Sequence, residues 1–234
     1  MSSPDAPVRV FPSLLAADAG SLGKELERIR AAGADGVHID AMDGNFVPNI
    51  AFGPTMVEQL RSITNLYFDV HLMLLHPESY VDRYADAGAH AITVHVEVVP
   101  HPIRLLRHVD SLVGHAGIAI NPATPVDTVR HLLPYVRQVI IMSVDPGFSF
   151  QPFLDLAVEK VREVRNLAGS EMDIVVDGGI AVGRIAERLV DAGATVLVAG
   201  NATFGAPDLA TAIAELRAAR TPRHGVDARI GGEG

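Results

Sequence analysis

Four side chains of this 234-residue chain have the chemistry of a divalent-metal site. His38 and Asp40 lie two residues apart in a short apolar run, so in a β-strand both side chains project from the same face. His71 and Asp177 lie in two other runs of this kind and complete a set of two imidazoles and two carboxylates. Such a set suits one Zn²⁺, Fe²⁺, Mn²⁺ or Co²⁺ ion and does not choose among them. Hydrogen bonding in a core also explains any single histidine, but four such groups gathered at strand ends favour a metal site.

Three methionines accompany these polar residues. Met42, Met73 and Met142 each lie near the end of an apolar run. Methionine usually fills gaps in a core. Because all three lie beside the polar cluster, we interpret them as an apolar wall over a reactive intermediate.

Glycine-bearing turns follow the last three apolar runs, at residues 145–149, 177–179 and 200–202. Backbone amides of such turns, and the helix N-termini after them, bind phosphate without a basic side chain. Each glycine alone is equally explained by a tight turn. Together they predict a phosphate subsite at Gly147, Phe148, Ser149, Gly178, Gly179, Gly200 and Asn201.

The elements that must position these residues alternate between strand and helix eight times. The patterns predict strands at residues 8–12, 36–40, 67–73, 91–95, 117–120, 138–143, 173–177 and 196–200. They predict helices near residues 21–32, 54–62, 77–87, 101–113, 125–132, 153–167, 182–191 and 207–220. Three of the helices end in Ala-Gly-Ala, where glycine can take the left-handed conformation that closes a helix.

Eight such units predict an α/β fold consisting of a single TIM (β/α)₈ barrel over residues 1–220, with a disordered tail at 221–234. An open doubly wound sheet more often has five or six strands, and no Gly-x-Gly-x-x-Gly follows the first run. In a TIM barrel the active site forms at the carboxyl ends of the strands, where the polar residues above gather.

Composition excludes several other classes of protein. The formal net charge is −9 and no run of Lys or Arg is present, which argues against a nucleic-acid partner. The absence of cysteine excludes disulfides and thiolate metal ligands. No apolar segment has the length of a membrane span or the pattern of a signal peptide. We therefore expect a cytoplasmic protein with no membrane partner.

Eight segments in order resemble the ribulose-phosphate 3-epimerase family. They are residues 11–18, 38–54 (HIDAMDGNFVPNIAFGP), 69–74 (DVHLML), 93–97 (TVHVE), 121–125, 141–153 (IMSVDPGFSFQPF), 176–180 (VDGGI) and 198–205. The resemblance implies an isomerase that is metal-dependent, with His38, Asp40, His71 and Asp177 as ligands. It also implies a homo-oligomer and a role in the pentose phosphate pathway of carbohydrate metabolism.

The resemblance further implies how the reaction proceeds. Asp40 and Asp177 match the family's acid–base pair. The implied reaction inverts carbon 3 of a ketose phosphate: one Asp removes a proton, a metal-stabilised enediolate forms, and the other Asp returns a proton on the opposite face. The substrate implied is D-ribulose 5-phosphate, giving D-xylulose 5-phosphate. Ser13 and His71 would line the substrate pocket, and Met42, Met73 and Met142 would cover the planar intermediate.

Three departures from the family pattern leave alternatives open. Asp145 stands where the family has Asn, Ser149-Phe150 replace two glycines, and Asn201 replaces a Ser. Asp145 and the run 151–153 resemble allulose-6-phosphate 3-epimerases instead. A metal-free phosphate-binding barrel and a sugar-phosphate-binding pseudoenzyme are further readings. Glu97 is either a partner of a ligand histidine or a solvated residue at the rim. Segment 44–53 is either a lid over the pocket or a fixed loop.

Overall fold

Eight parallel strands form a closed barrel in the computed structural model, which describes residues 8–219. The strands are β1 (Arg9–Pro12), β2 (Val37–Asp43), β4 (Phe68–Met73), β5 (Ala91–His95), β6 (Ala116–Ile120), β7 (Gln138–Met142), β8 (Asp173–Asp177) and β9 (Val196–Ala199). Their order is β1-β9-β8-β7-β6-β5-β4-β2, and a parallel bridge between Ser13 and His38 closes the ring. The predicted barrel is confirmed. The predicted tail at 221–234 lies outside the described residues.

β2 is longer than predicted and continues to Asp43 instead of ending at residue 40. Its parallel ladder with β4 extends to Met42, which lies opposite Met73. A ninth strand, β3 (Ile50–Ala51), pairs antiparallel with the end of β2, placing Met42 opposite Ala51 and Asp43 opposite Ile50.

Helices follow the strands. They are α1 (Leu22–Ala31), α2 (Pro54–Arg61), α3 (Val81–Asp86), α4 (Pro102–Val113), α5 (Leu156–Ala168), α6 (Arg184–Ala192), α7 (Asn201–Phe204) and α8 (Leu209–Arg217). The glycines of the three Ala-Gly-Ala motifs have φ of 77°, 93° and 115°, as expected for helix ends. Within residues 8–219, no helix combines the length and the apolar character needed to cross a membrane.

The predicted helix at 125–132 is wrong. That segment forms two 3₁₀ turns, Val126–Val129 and Leu133–Tyr135. Pro134 limits how far a helix could continue, because proline lacks an amide hydrogen and the residue before it is pushed out of the α-helical region. The β-branched residues Val126, Thr128 and Val129 weaken an α-helix further. The predicted helix at 77–87 likewise divides into a 3₁₀ turn, Pro77–Ser79, and α3.

The interior of the barrel has an apolar half and a polar half. Side chains from β6 to β9 and β1 form one apolar cluster that includes Ile140, Val175 and Val198. The inward positions of β2, β4 and β5 are instead polar and buried: His38, Asp40, Asp69, His71, Thr93 and His95. Outward residues of the same strands, such as Ile39 and Leu72, pack in the main core. The alternation along each strand thus directs polar groups inward on one side of the barrel.

Candidate metal centre

The four predicted ligands lie together on β2, β4 and β8. One ligand atom from each of His38, Asp40, His71 and Asp177 lies within 4.8 Å of the others. Oδ1 of Asp40 is 3.3 Å from Nε2 of His38 and 3.4 Å from Nδ1 of His71. Oδ2 of Asp177 is 3.8 Å and 3.7 Å from the same two nitrogens.

The ligand atoms of the cluster fit a cation. Within residues 8–219, Nε2 of His38, Oδ1 of Asp40 and Nδ1 of His71 are buried and have no hydrogen-bond partner. Burying polar atoms without partners costs free energy, so three such atoms in one cluster indicate a shared partner of another kind. Two nitrogens and two carboxylate oxygens are suitable ligands for a divalent transition metal.

A buried carboxylate that the sequence analysis did not single out supports His38. Oδ2 of Asp69 is 2.8 Å from Nδ1 of His38, and Oδ1 of Asp69 accepts a 2.7 Å hydrogen bond from Gln138. Asp69 lies opposite His38 in the strand register and two residues before His71, so strand alternation could have indicated that it faces inward. The carboxylate occupies Nδ1 of His38 and leaves Nε2 as the nitrogen that could bind a metal.

Electrostatics at the cluster favour positive charge. Burial opposes protonation of His38, but the Asp40 and Asp69 carboxylates outweigh it and raise the pKa of His38 well above its usual value. Burial raises the pKa of Asp40, yet the positive charge of the neighbouring His38 and His71 outweighs it, and the net pKa is lowered. Asp40, Asp69 and Asp177 thus supply negative charge that a bound cation would balance.

His71 has support of a different kind. Its Nε2 is 2.8 Å from Nε2 of His95, and Nδ1 of His95 is 3.1 Å from Oε2 of Glu97. Burial, with a smaller opposing effect of the Glu97 hydrogen bond, lowers the pKa of His95 to about 4. Glu97 therefore reaches a ligand histidine only through His95, a residue that the sequence analysis did not single out.

Above the cluster lies a pocket of about 440 Å³. Asp40 and Asp177 line it together with eleven other predicted site residues: Ser13, Met42, Met73, Met142, Gly147, Phe148, Ser149, Gly178, Gly179, Gly200 and Asn201. His71, predicted to contact substrate as well as metal, is fully buried and does not line the pocket. Sequence reasoning missed several wall residues, among them Leu15, Val144 and Ile180.

The loop after β7 forms one side of the pocket mouth. Phe150, at one of the two positions where the family has glycine, has φ of 65° and is 75% exposed. This left-handed conformation favours glycine, so the loop keeps a glycine-like backbone despite the larger side chain. Phe148, also at the mouth, is 52% exposed.

Segment 44–53 contacts the loop after β7. Nδ2 of Asn49 donates a 2.8 Å hydrogen bond to the carbonyl of Gly147, and Val47 is buried. The ring of Phe46 lies 4.7 Å from that of His95. At its base, Oδ1 of Asp43 accepts hydrogen bonds from the amides of Asn45 and Phe46. The segment is therefore docked on its neighbours in this conformation.

Comparisons with known proteins agree with this geometry. Residues 9–204 match the model of the "Ribulose-phosphate 3 epimerase family". The chain is 40% identical to the ribulose-phosphate 3-epimerase of Bacillus subtilis, with 91% of this chain and all of that protein covered. It is 41% identical to the chloroplastic ribulose-5-phosphate-3-epimerase of Arabidopsis thaliana, over 91% of this chain and 77% of that protein.

Solved structures of other proteins share the fold at low identity. A variant of the tryptophan synthase α-subunit from Pyrococcus furiosus superposes with a TM-score of 0.68 at 13% identity, covering 92% of this chain and 98% of that one. Orotidine 5'-phosphate decarboxylase from Pyrococcus horikoshii gives 0.65 at 16% identity, with 89% and 97% covered. These likenesses concern the barrel alone. The family match and the curated relatives show more: this chain belongs to the ribulose-phosphate 3-epimerase family.

Proposed function

We propose that this chain is a metal-dependent epimerase that inverts carbon 3 of a ketose phosphate, converting D-ribulose 5-phosphate to D-xylulose 5-phosphate. The observation that carries the proposal is the pairing of Asp40 and Asp177. They stand on β2 and β8, share one cluster with two histidines, and both line the pocket. Two carboxylates around one pocket suit removal of a proton from one face of a carbon and its return on the other.

In this proposal each carboxylate uses one oxygen to bind the metal and the other to transfer a proton. Oδ1 of Asp40 and Oδ2 of Asp177 face the histidine nitrogens, and in this proposal the second oxygen of each transfers the proton. Ser13 donates a 2.6 Å hydrogen bond to that second oxygen of Asp40 and so orients it. A divalent ion held by the four residues would supply Lewis-acid stabilisation of the negative charge that develops on the substrate oxygens.

The remaining pocket residues have roles consistent with this reaction. Met42, Met73 and Met142 are almost completely buried and form an apolar wall beside the carboxylates. Such a wall limits access of water to the reacting carbon. The turns at Gly147, Gly178–Gly179 and Gly200 offer backbone amides for the substrate phosphate, which an acidic chain would otherwise repel.

A second candidate substrate is D-allulose 6-phosphate. The observation that favours it is the loop after β7, where Asp145 and Gln151-Pro152-Phe153 resemble allulose-6-phosphate 3-epimerases. Gln151 holds this loop with hydrogen bonds from Nε2 to the carbonyls of Asp145 and Phe148. The chemistry at carbon 3 would be the same, and the substrate would be one carbon longer.

The test is an NMR assay in D₂O with metal-loaded protein and each of the two ketose phosphates. Deuterium at carbon 3 of ribulose 5-phosphate, with appearance of xylulose 5-phosphate, is the expected result. Exchange with allulose 6-phosphate alone would mean that the chain catalyses the same reaction on the hexulose phosphate instead. No exchange with either, in protein shown to be folded and metal-bound, would refute the proposal.

The metal, the assembly and the compartment also remain proposals. Elemental analysis of protein purified without a histidine tag would distinguish zinc from iron, manganese and cobalt. A cytoplasmic homo-oligomer is expected, and light scattering of the purified chain would detect the oligomer.

A further inference from the structure

The fully buried His95 belongs to a continuous line of polar contacts that leads away from the metal cluster. Nε2 of His71 is 2.8 Å from Nε2 of His95, and Nδ1 of His95 is 3.1 Å from Oε2 of Glu97. Oε1 of Glu97 accepts hydrogen bonds from the amide of Asn121, at 2.8 Å, and from the hydroxyl of Thr124. Neither His95 nor Glu97 lines the pocket.

The positions of the hydrogens along this line follow from its first member. Nδ1 of His71 faces Asp40 and Asp177 and must present a lone pair if it is to bind a metal. Its hydrogen is then on Nε2 and is donated to Nε2 of His95. Because that nitrogen of His95 accepts, the hydrogen of His95 is on Nδ1 and is donated to Glu97. Only an acceptor at Glu97 is consistent with this order.

Glu97 is well suited to be that acceptor. Burial opposes its charge, but the hydrogen bonds and charge interactions with His95, Asn121 and Thr124 outweigh burial and lower the pKa of Glu97 to about 2. Its side chain is 20% exposed, so the carboxylate is held largely out of solvent. Lys160 stabilises the loop that contains Asn121. Its Nζ donates hydrogen bonds to the carbonyls of Asn121, at 2.6 Å, and Pro122, at 2.9 Å.

The two ligand histidines are therefore oriented differently. His38 is bonded directly to the carboxylate of Asp69, whereas His71 reaches a carboxylate only through the ring of His95. The intervening ring is itself packed against Phe46, a residue of the segment after β2. The orientation of His71 thus depends on a ring that is itself held by residues further from the cluster.

We propose that His95 and Glu97 are positioning residues, which hold His71 in the tautomer and ring orientation that bind a divalent metal through Nδ1. The inference deepens the proposed function, because the metal it concerns is the one assigned to the epimerase reaction. Loss of such outer partners costs roughly 10–100-fold in metal affinity in other metalloproteins. The same range is expected here.

The test measures Zn²⁺ affinity of the full chain by competition with a chromophoric chelator, and the visible spectrum of the Co²⁺-loaded protein. His95→Phe keeps a ring but removes both nitrogens, and should lower affinity roughly 10–100-fold and alter the Co²⁺ spectrum. His95→Gln can accept from His71 and donate to Glu97 through its amide, so it should recover affinity to within a few-fold. Glu97→Ala should lower affinity in the same direction as His95→Phe.

A control variant separates positioning from general packing. His90→Phe makes the same substitution immediately before β5, where His90 accepts from the amide of Phe68 and does not contact the metal cluster. This variant should bind Zn²⁺ as the unaltered chain does. ¹⁵N-edited NMR of the Zn²⁺ form should also show the hydrogen of His71 on Nε2.

Other outcomes overturn the inference. Unchanged Zn²⁺ affinity and Co²⁺ spectrum in Glu97→Ala and His95→Phe would remove the positioning role, and so would equal losses in His95→Phe and His95→Gln. If His95→Phe does not fold, Glu97→Ala and His95→Gln decide the question alone. The variants could lose Zn²⁺ affinity while the unaltered chain exchanges deuterium into neither ketose phosphate. That result would support the positioning role and refute the proposed function.

Discussion

The hydroxyl of Ser13 donates a 2.6 Å hydrogen bond to Oδ2 of Asp40, across the seam where β1 and β2 close the barrel. The backbone bridge at this seam joins Ser13 to His38, a second member of the metal cluster. Closure of the barrel and orientation of the carboxylate thus depend on the same residue. Both partners are buried, so water does not readily replace the hydroxyl.

Replacement of Ser13 by Ala should therefore lower kcat more than it changes KM. A hydrogen bond to a charged group contributes about 1.5–3 kcal/mol, which corresponds to roughly a 10–100-fold loss if it is needed in the transition state. Steady-state kinetics of Ser13→Ala give the answer, with Ser62→Ala as the control at an exposed hydroxyl bonded to the Gln59 carbonyl. A kcat within twofold of the unaltered chain would contradict the assigned orienting role.

Asn in place of either Asp40 or Asp177 should abolish measurable epimerisation and leave the barrel folded. Amides cannot take up the transferred proton, and loss of one acid–base group typically costs on the order of 10²–10⁴-fold in rate. Circular dichroism monitors the fold, and Asp127→Asn serves as a control at an exposed carboxylate paired with Arg130. Near-normal turnover in a folded variant of either residue would contradict the two-carboxylate scheme.

Removal of divalent metal should lower the melting temperature. Three buried side-chain atoms of the cluster have no hydrogen-bond partner, and each gains a partner when the ion binds. A metal ion present at 100 times its Kd stabilises the folded protein by about 2.7 kcal/mol. For a chain of this size that is a shift of roughly 5–10 °C. Calorimetry after treatment with EDTA and after return of each metal measures it.

A pair of histidine variants controls this experiment. His38→Gln should lose the metal-dependent shift, whereas His131→Gln, at an exposed histidine outside the cluster, should keep it. Equal shifts in both variants would mean that the ion binds elsewhere.

Ala at position 179 should impair substrate binding far more than Ala at position 114. Both glycines have positive φ, 63° and 69°, so both substitutions put a side chain at positive φ at a cost of about 1–2 kcal/mol. A Cβ on Gly179 would lie 2.8 Å from the amide nitrogen of Phe153, whereas one on Gly114 meets nothing within 4 Å. We expect at least a tenfold rise in KM, in order-of-magnitude terms, for Gly179→Ala alone. Equal KM values for the two variants would count against a substrate-binding role for this turn.

The cluster of four candidate ligands and the barrel were predictable from the sequence because the signals that indicate them are local. His38 and Asp40 are two apart, and side chains on a strand alternate between faces regardless of what surrounds the strand. Glycine after a helix and apolar β-branched runs are also properties of short segments. The helix predicted at 125–132 failed where Pro134 and the β-branched residues after Pro125 imposed a competing local constraint.

Only the tertiary structure decided how the ligands are supported. Asp69 meets His38, and His95 meets His71, across neighbouring strands, and His95 reaches Glu97 at the start of the next loop. These contacts depend on strand register, on side-chain rotamers and on the curvature that closes the barrel. Packing of the whole chain sets all three, so they leave no pattern in any one segment of sequence.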